Sequence, residues 1–174
     1  LKILSLDSER KQAKVRYNNA LNEYVNLYFR RPLEKLNVFF EGVQLKVQQG
    51  VREEEIGYQL AFSKQELRKV IKDCNLKDIK KGLEEMYKRV EKHISDPANN
   101  LIQVKGIFKC IHSLRLTIVL WLLQVIWRSM QEEFITQYKS ISEMIERCYP
   151  QANITLLFSI EDVLNVFSEI AQMH

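Results

Sequence analysis

Three histidines and three cysteines give this chain its widest chemical repertoire, and their spacing limits what they can do. Cys110 and His112 lie two positions apart, which on a helix turns them to different faces, and no third ligand is near. A zinc site needs at least three protein ligands, so none is expected. His93 closes a charged stretch and His174 is the last residue, so both read as solvated. No HExxH, no GxSxG and no glycine-rich phosphate loop occurs anywhere in the chain. The sequence therefore predicts no catalytic residue, no metal and no cofactor. Cys74, Cys110 and Cys148 are odd in number and widely spaced, so neither a disulfide framework nor a CxxC knuckle is available, and a reducing, cytoplasmic setting is expected. There the sequon Asn153-Ile154-Thr155 is silent.

The remaining chemistry is electrostatic. Between Phe62 and His93 ten basic residues face six acids. Lys64, Arg68, Lys69, Lys72, Lys80, Lys81, Lys88 and Arg89 make a candidate surface for an anionic partner, either a lipid headgroup layer or an acidic protein. Against that, the charges are interleaved, pairs such as Glu84 and Lys88 stand four apart, and aromatics for insertion are missing from the face. A solvated outer helix face is the favoured reading. A net charge of +4 without a dense cluster excludes nucleic acid.

What must position these residues is helix nearly throughout. The chain has 174 residues, 46% of them apolar, with 5 Gly and 3 Pro. That composition builds a core and lacks the turn residues of all-β folds, so one domain or one segment of a longer helical rod is expected. Val15, Leu21, Tyr24, Val25 and Tyr28 carry an apolar stripe on a first helix expected to start near Asp7-Ser8. Pro32 opens a second, with Leu33, Leu36, Phe40, Val43 and Val47, closed by Gly50. Ser63 to Glu66 reads as a capping box before Leu67, Val70 and Ile71. Asp78 to Ile94 shows the cleanest amphipathic period, and Asp96-Pro97 stops it. Trp127, Met130, Phe134, Tyr138, Ile141, Ile145 and Cys148 descend a long helix that Pro150 ends. Residues 151–158 read as an extended connector, and Ser159 to Asp162 as the start of a last helix burying Val163, Val166, Phe167 and Ile170. The aromatic run Tyr17, Tyr24, Tyr28, Phe29, Phe39 and Phe40 reads as core, with a partner-helix groove as the alternative. The predicted class is all-α, an antiparallel helical bundle.

These residues also carry a resemblance. The stretch from Asn18 to Lys72 (NNALNEYVNLYFRRPLEKL and onward), VIWRSMQEEFITQYK at Val125 to Lys139, RCYP at Arg147 to Pro150 and the closing SEIAQMH resemble the C-terminal region of the exocyst complex component 1 family. The resemblance implies the end of an elongated helical rod in a complex that holds secretory vesicles at the plasma membrane. It implies a non-catalytic role, with sister exocyst subunits as partners and a cytoplasmic location from which the protein is recruited to sites of exocytosis. The family's phosphoinositide and Rho-type GTPase sites are expected outside this fragment. The alternative is a peripheral membrane-surface module using the basic helices at 62–93, with weak contact to anionic lipid. The first 14 residues form no signal-peptide core, and an initial Leu in place of Met predicts a C-terminal fragment.

The departure from the family is a segment at 104–124, VKGIFKCIHSLRLTIVLWLLQ, standing between stretches that the resemblance implies are nearly contiguous. It has 21 residues, 13 apolar and none acidic. Val-Lys can be coded GTN-AAR, matching a splice donor, and a closing Gln as CAG matches an acceptor. A short in-frame intron carried into the protein sequence is the expectation, and a lineage-specific helix extension the alternative. Lys109, His112 and Arg115 interrupt it as a transmembrane span, whose core needs roughly 20 apolar residues. Without the segment the chain has 23 basic and 22 acidic residues, so its mild basicity comes mainly from there.

Overall fold

The computed structural model describes residues 4–29, 32–96 and 112–173. Among them lie six α-helices: α1 (Leu4–Tyr28), α2 (Glu34–Gln48), α3 (Lys64–Lys72), α4 (Leu76–Ser95), α5 (His112–Cys148) and α6 (Ile160–Met173). Two 3-10 turns, Glu53–Tyr58 and Leu60–Phe62, join α2 to α3, and no strand occurs among the described residues. The all-α class is what the structure shows.

Local chemistry sets the boundaries. Helix α2 ends in a paired backbone cap, with Gly50 N–H donating to the Val47 carbonyl and Val51 N–H to Lys46. Gly50 takes φ +95°, which its missing Cβ allows without strain. The Ser63 hydroxyl accepts from the Glu66 amide at the start of α3, Asn75 caps α4, and Ser159 and Asp162 bond reciprocally before α6. Helix α1 begins at Leu4, ahead of the expected cap, because nothing before Asp7 breaks it. Asp7 instead sits in the first turn, where the helix dipole favours its charge. The 151–158 connector is not extended throughout: Gln151 and Asn153 adopt left-handed backbone angles, so it folds as a turn.

Helix α5, about 55 Å long at 1.5 Å per residue, is the axis. It packs against α1, α2, α4, α6 and the first 3-10 turn. Helix α6 runs back along it, since Tyr138 donates to the Phe158 carbonyl while Trp127 meets Phe167. Helices α1 and α2 instead succeed one another along α5 in its own direction. Phe29 packs edge-on against Phe134, Asn37 bonds Gln137, and Gln44 reaches Met144. The buried face of each helix follows the apolar period, with Leu36, Phe40 and Val43 on α2, Ile79 through Ile94 on α4, and Val163, Val166, Phe167 and Ile170 on α6. Each such side chain contributes roughly 1.5–3 kcal/mol of transfer free energy before entropy is subtracted.

Burial falls short of expectation at the start of α1 and at the start of α5. Residues 6–20 of α1 are exposed throughout, Val15 included, because no described helix covers that length of α1. At the start of α5, Leu123 is the one buried residue between 117 and 124, and Leu120 and Trp121 are exposed. The rest of the 104–124 segment that precedes His112 lies outside the described residues, as do Cys110 and His174.

Candidate interaction surfaces

The basic residues of α3 and α4 rest on different parts of the bundle: α3 packs on α2 and the second 3-10 turn, α4 on α5 and α6. On α3, Lys64, Arg68 and Lys72 stand four apart on one exposed face. The Arg68 guanidinium donates to the Ala152 carbonyl at 3.3 Å, so it ties α3 to the last loop, and Lys69 pairs with Glu66 at 2.6 Å. On α4, Lys80 reaches Glu169 of α6 at 2.7 Å, and that hydrogen bond and charge raise the ammonium's pKa. Lys81 and Lys88 are exposed and Arg89 is half-buried. Three of the eight are thus engaged by the protein itself, while Lys64, Lys72, Lys81 and Lys88 make no ion pair within 4 Å among the described residues.

His93 is not solvated as its position suggested. Its Nδ1 lies 3.2 Å from the Tyr24 hydroxyl and its ring stands edge-on to Tyr28, so it joins α4 to α1. Burial, with the neighbouring Tyr28 adding, pushes the Tyr24 phenol up to about 12. Cys74 and Cys148 are buried, free thiols, and burial raises both, Cys74 to about 11. Such thiols are unreactive at neutral pH, since the thiolate is the nucleophile. Among the described residues no group of His, Cys, Asp and Glu is placed to hold a metal, and no described helix is long and apolar enough to cross a membrane.

Two further surfaces emerge that the period of buried residues does not mark. The 3-10 turns bury Ile56 yet carry Tyr58 and Leu60 outward, 87% and 93% exposed. The turn is held by Tyr149, which donates from its hydroxyl to the Phe62 carbonyl at 2.8 Å and sets its ring beside Gly57. The second is a trench of about 510 Å³ between α2 and α5, walled by Glu34, Val38 and Glu41 on one side and Thr136, Gln137 and Ser140 on the other. None of the eight basic candidates lines it. Its signal in the sequence was the outward stripe of α2, opposite the apolar stripe that helix reasoning follows.

Comparison with known proteins bears on what these surfaces serve. The family profile "Exocyst complex component Sec3, C-terminal" matches residues 1–151. The whole chain is 53% identical to exocyst complex component 1 of Drosophila melanogaster and 48% identical to that of Mus musculus. A more distant relative, exocyst complex component SEC3A of Arabidopsis thaliana, is 24% identical over 143 residues, 82% of this chain and 13% of that protein. The chain spans 17% of the length of the fly and mouse relatives. No solved structure matches it.

Proposed function

The chain belongs to the Sec3 C-terminal family of exocyst components, and from that membership we propose that it is a non-catalytic packing segment of a vesicle-tethering complex. The observation that carries this reading is the family match over 151 residues, joined to about half identity with two exocyst components across the full chain. A tether transmits load through helix contacts and makes or breaks no bond. The architecture suits that role, since no charged side chain is buried and the core is built from apolar and aromatic side chains with two unreactive thiols among the described residues. Sister exocyst subunits are the partners, met in the cytoplasm and carried to the plasma membrane. Lipid and GTPase recognition belong to other regions of the full-length protein. Co-precipitation of exocyst subunits with the tagged chain tests this, and failure to retain any of them overturns it.

The second reading is contact with an anionic membrane surface through Lys64, Lys72, Lys81 and Lys88, which are exposed and without ion pairs among the described residues. Sedimentation with vesicles of phosphatidylcholine alone, or with phosphatidylserine added, separates the two. A tether-only segment stays in the supernatant with both.

Residues 104–124 we read as an insert in the family segment, originating as a translated intron. Leu120 and Trp121, left exposed at 47% and 57%, support this, while Val119, Leu122 and Leu123 on the other side of the helix meet the core. Sequencing cDNA across codons 103 to 125 decides the matter: transcripts that all retain the intervening 63 nucleotides refute it. Deleting the segment is expected to raise soluble yield, and equal yield and melting temperature would count against it.

A further inference from the structure

Helix α2 buries Leu36, Phe40 and Val43, and on its outward side it carries a second ordered stripe. Glu34, Val38, Glu41 and Leu45 follow one another at intervals of four, three and four, the spacing with which one helix meets another. All four are exposed, Val38 at 62% and Leu45 at 55%. Across the trench, α5 repeats the interval with Ser129, Glu133, Thr136 and Ser140, three of them small. The two helices run in the same direction here, so the stripes lie parallel, with Glu34, Val38 and Glu41 walling the trench and Leu45 one turn beyond them on the same exposed face. A second depression of about 300 Å³, sharing Asn26 and Thr136 with the first, continues the trench toward Ser129. From Ser129 to Met144 it is about 22 Å long at 1.5 Å per residue, or four helical turns.

Its charge is one-sided. Glu34, Glu41, Glu132 and Glu133 line the trench, and no described lining residue is Lys or Arg, although the chain as a whole is net basic. Only Glu132 has a cation partner among the described residues, an exposed Arg128 at 3.3 Å outside the trench wall. Isolated carboxylates at a surface are ordinary. Carboxylates alternating with exposed Val38 and Leu45 at helix-pairing intervals, above small residues that permit close approach, are not explained by solubility.

We propose that this trench is the docking surface for one basic amphipathic helix of a partner subunit. The inference rests on the tethering reading and names the chemistry of the contact: a helix of about 15 residues presenting Leu-type side chains at four- and three-residue intervals, flanked by Lys or Arg. Its apolar residues cover Val38 and Leu45, its backbone approaches Thr136 and Ser140, and its cations meet Glu34, Glu41 and Glu133. The complementary charges set orientation and on-rate, and the covered apolar area holds the complex.

The probe is a designed, labelled helical peptide with Leu at those intervals and Lys elsewhere on the flanks, against the same peptide with Glu for Lys, titrated with the full chain by fluorescence anisotropy. The Lys peptide is expected to bind and the Glu peptide not to. The double variant Glu41→Lys/Thr136→Arg should weaken binding about tenfold or more. Val38→Ser/Leu45→Ser should weaken it too, and Lys81→Glu/Lys88→Glu on α4 should leave it within about twofold, as expected for charges far from the contact. All variants are checked for an unchanged melting temperature. Equal binding of both peptides, or indifference to the trench variants, overturns the proposal. In parallel, exocyst subunits are captured with each variant. Capture that persists in the trench variants sinks this surface while leaving the tethering reading intact, and absence of capture by the wild-type chain sinks the tethering reading itself.

Discussion

The indole N–H of Trp127 donates to the main-chain carbonyl of Phe167 at 3.1 Å, inside the core and forty residues away in sequence. The same indole stands edge-on to Tyr87, so one side chain joins α4, α5 and α6. Replacing Trp127 by Ala should cost about 3–5 kcal/mol, and by Phe less, since the Phe167 carbonyl loses one buried donor but most packing survives. Denaturant unfolding measures both. An Ala variant within about 1 kcal/mol of wild type would show that α6 is not held this way.

The Tyr149 hydroxyl fixes the 3-10 turns that present Tyr58 and Leu60. Tyr149→Phe removes that bond alone and should cost about 1 kcal/mol. Amide exchange should quicken in residues 53–62 and stay unchanged in α4. Exchange that is uniform across the chain would contradict a local anchor.

Gly50 closes α2 at φ +95° with open space around it. Gly50→Ala therefore meets no clash, and its cost of about 1–2 kcal/mol is purely conformational. Gly50→Asn, which tolerates this backbone region, should recover part of the loss. Thermal melts of the pair check the ordering.

Asp162 accepts hydrogen bonds from the Ser159 amide and hydroxyl, which hold its carboxyl below the usual carboxylate range. A depressed folded pKa means stability that is present above the unfolded value and lost as pH falls through the folded one. Acidification below about pH 4 should loosen α6. Asp162→Asn should flatten that dependence, read from melting temperature against pH, while Ser159→Ala should cost about 1 kcal/mol at neutral pH.

With its thiol pushed up to about 11, Cys74 should resist iodoacetamide at pH 8 in the folded protein and react once unfolded. Peptide mapping by mass spectrometry distinguishes it from the other cysteines. Prompt native labelling of Cys74 would place it in an open environment.

The amino-acid order alone determined which residues turn inward. On α4, Ile79, Leu83, Met86, Tyr87, Val90 and Ile94 follow the helical period and are all buried, because an apolar stripe of that period can leave water only on one side of a helix. Local stops were equally legible at Gly50, Ser63 and Ser159, where one side chain or its absence decides the backbone. Periodicity, however, states that a face is covered without stating by what. Val15 lies on the apolar period of α1 yet stays exposed, since no described helix covers it. That α1 and α2 follow each other along α5 depends on pairs such as Asn37 with Gln137, a hundred residues apart. The trench exists only because that pairing sets two outward stripes side by side. Lysines of α3 and α4 that look alike in sequence are sorted by the same means, Lys80 drawn to Glu169 and Lys81 left to solvent. Local chemistry fixes a residue's preference, and contacts distant in sequence decide which preferences are met.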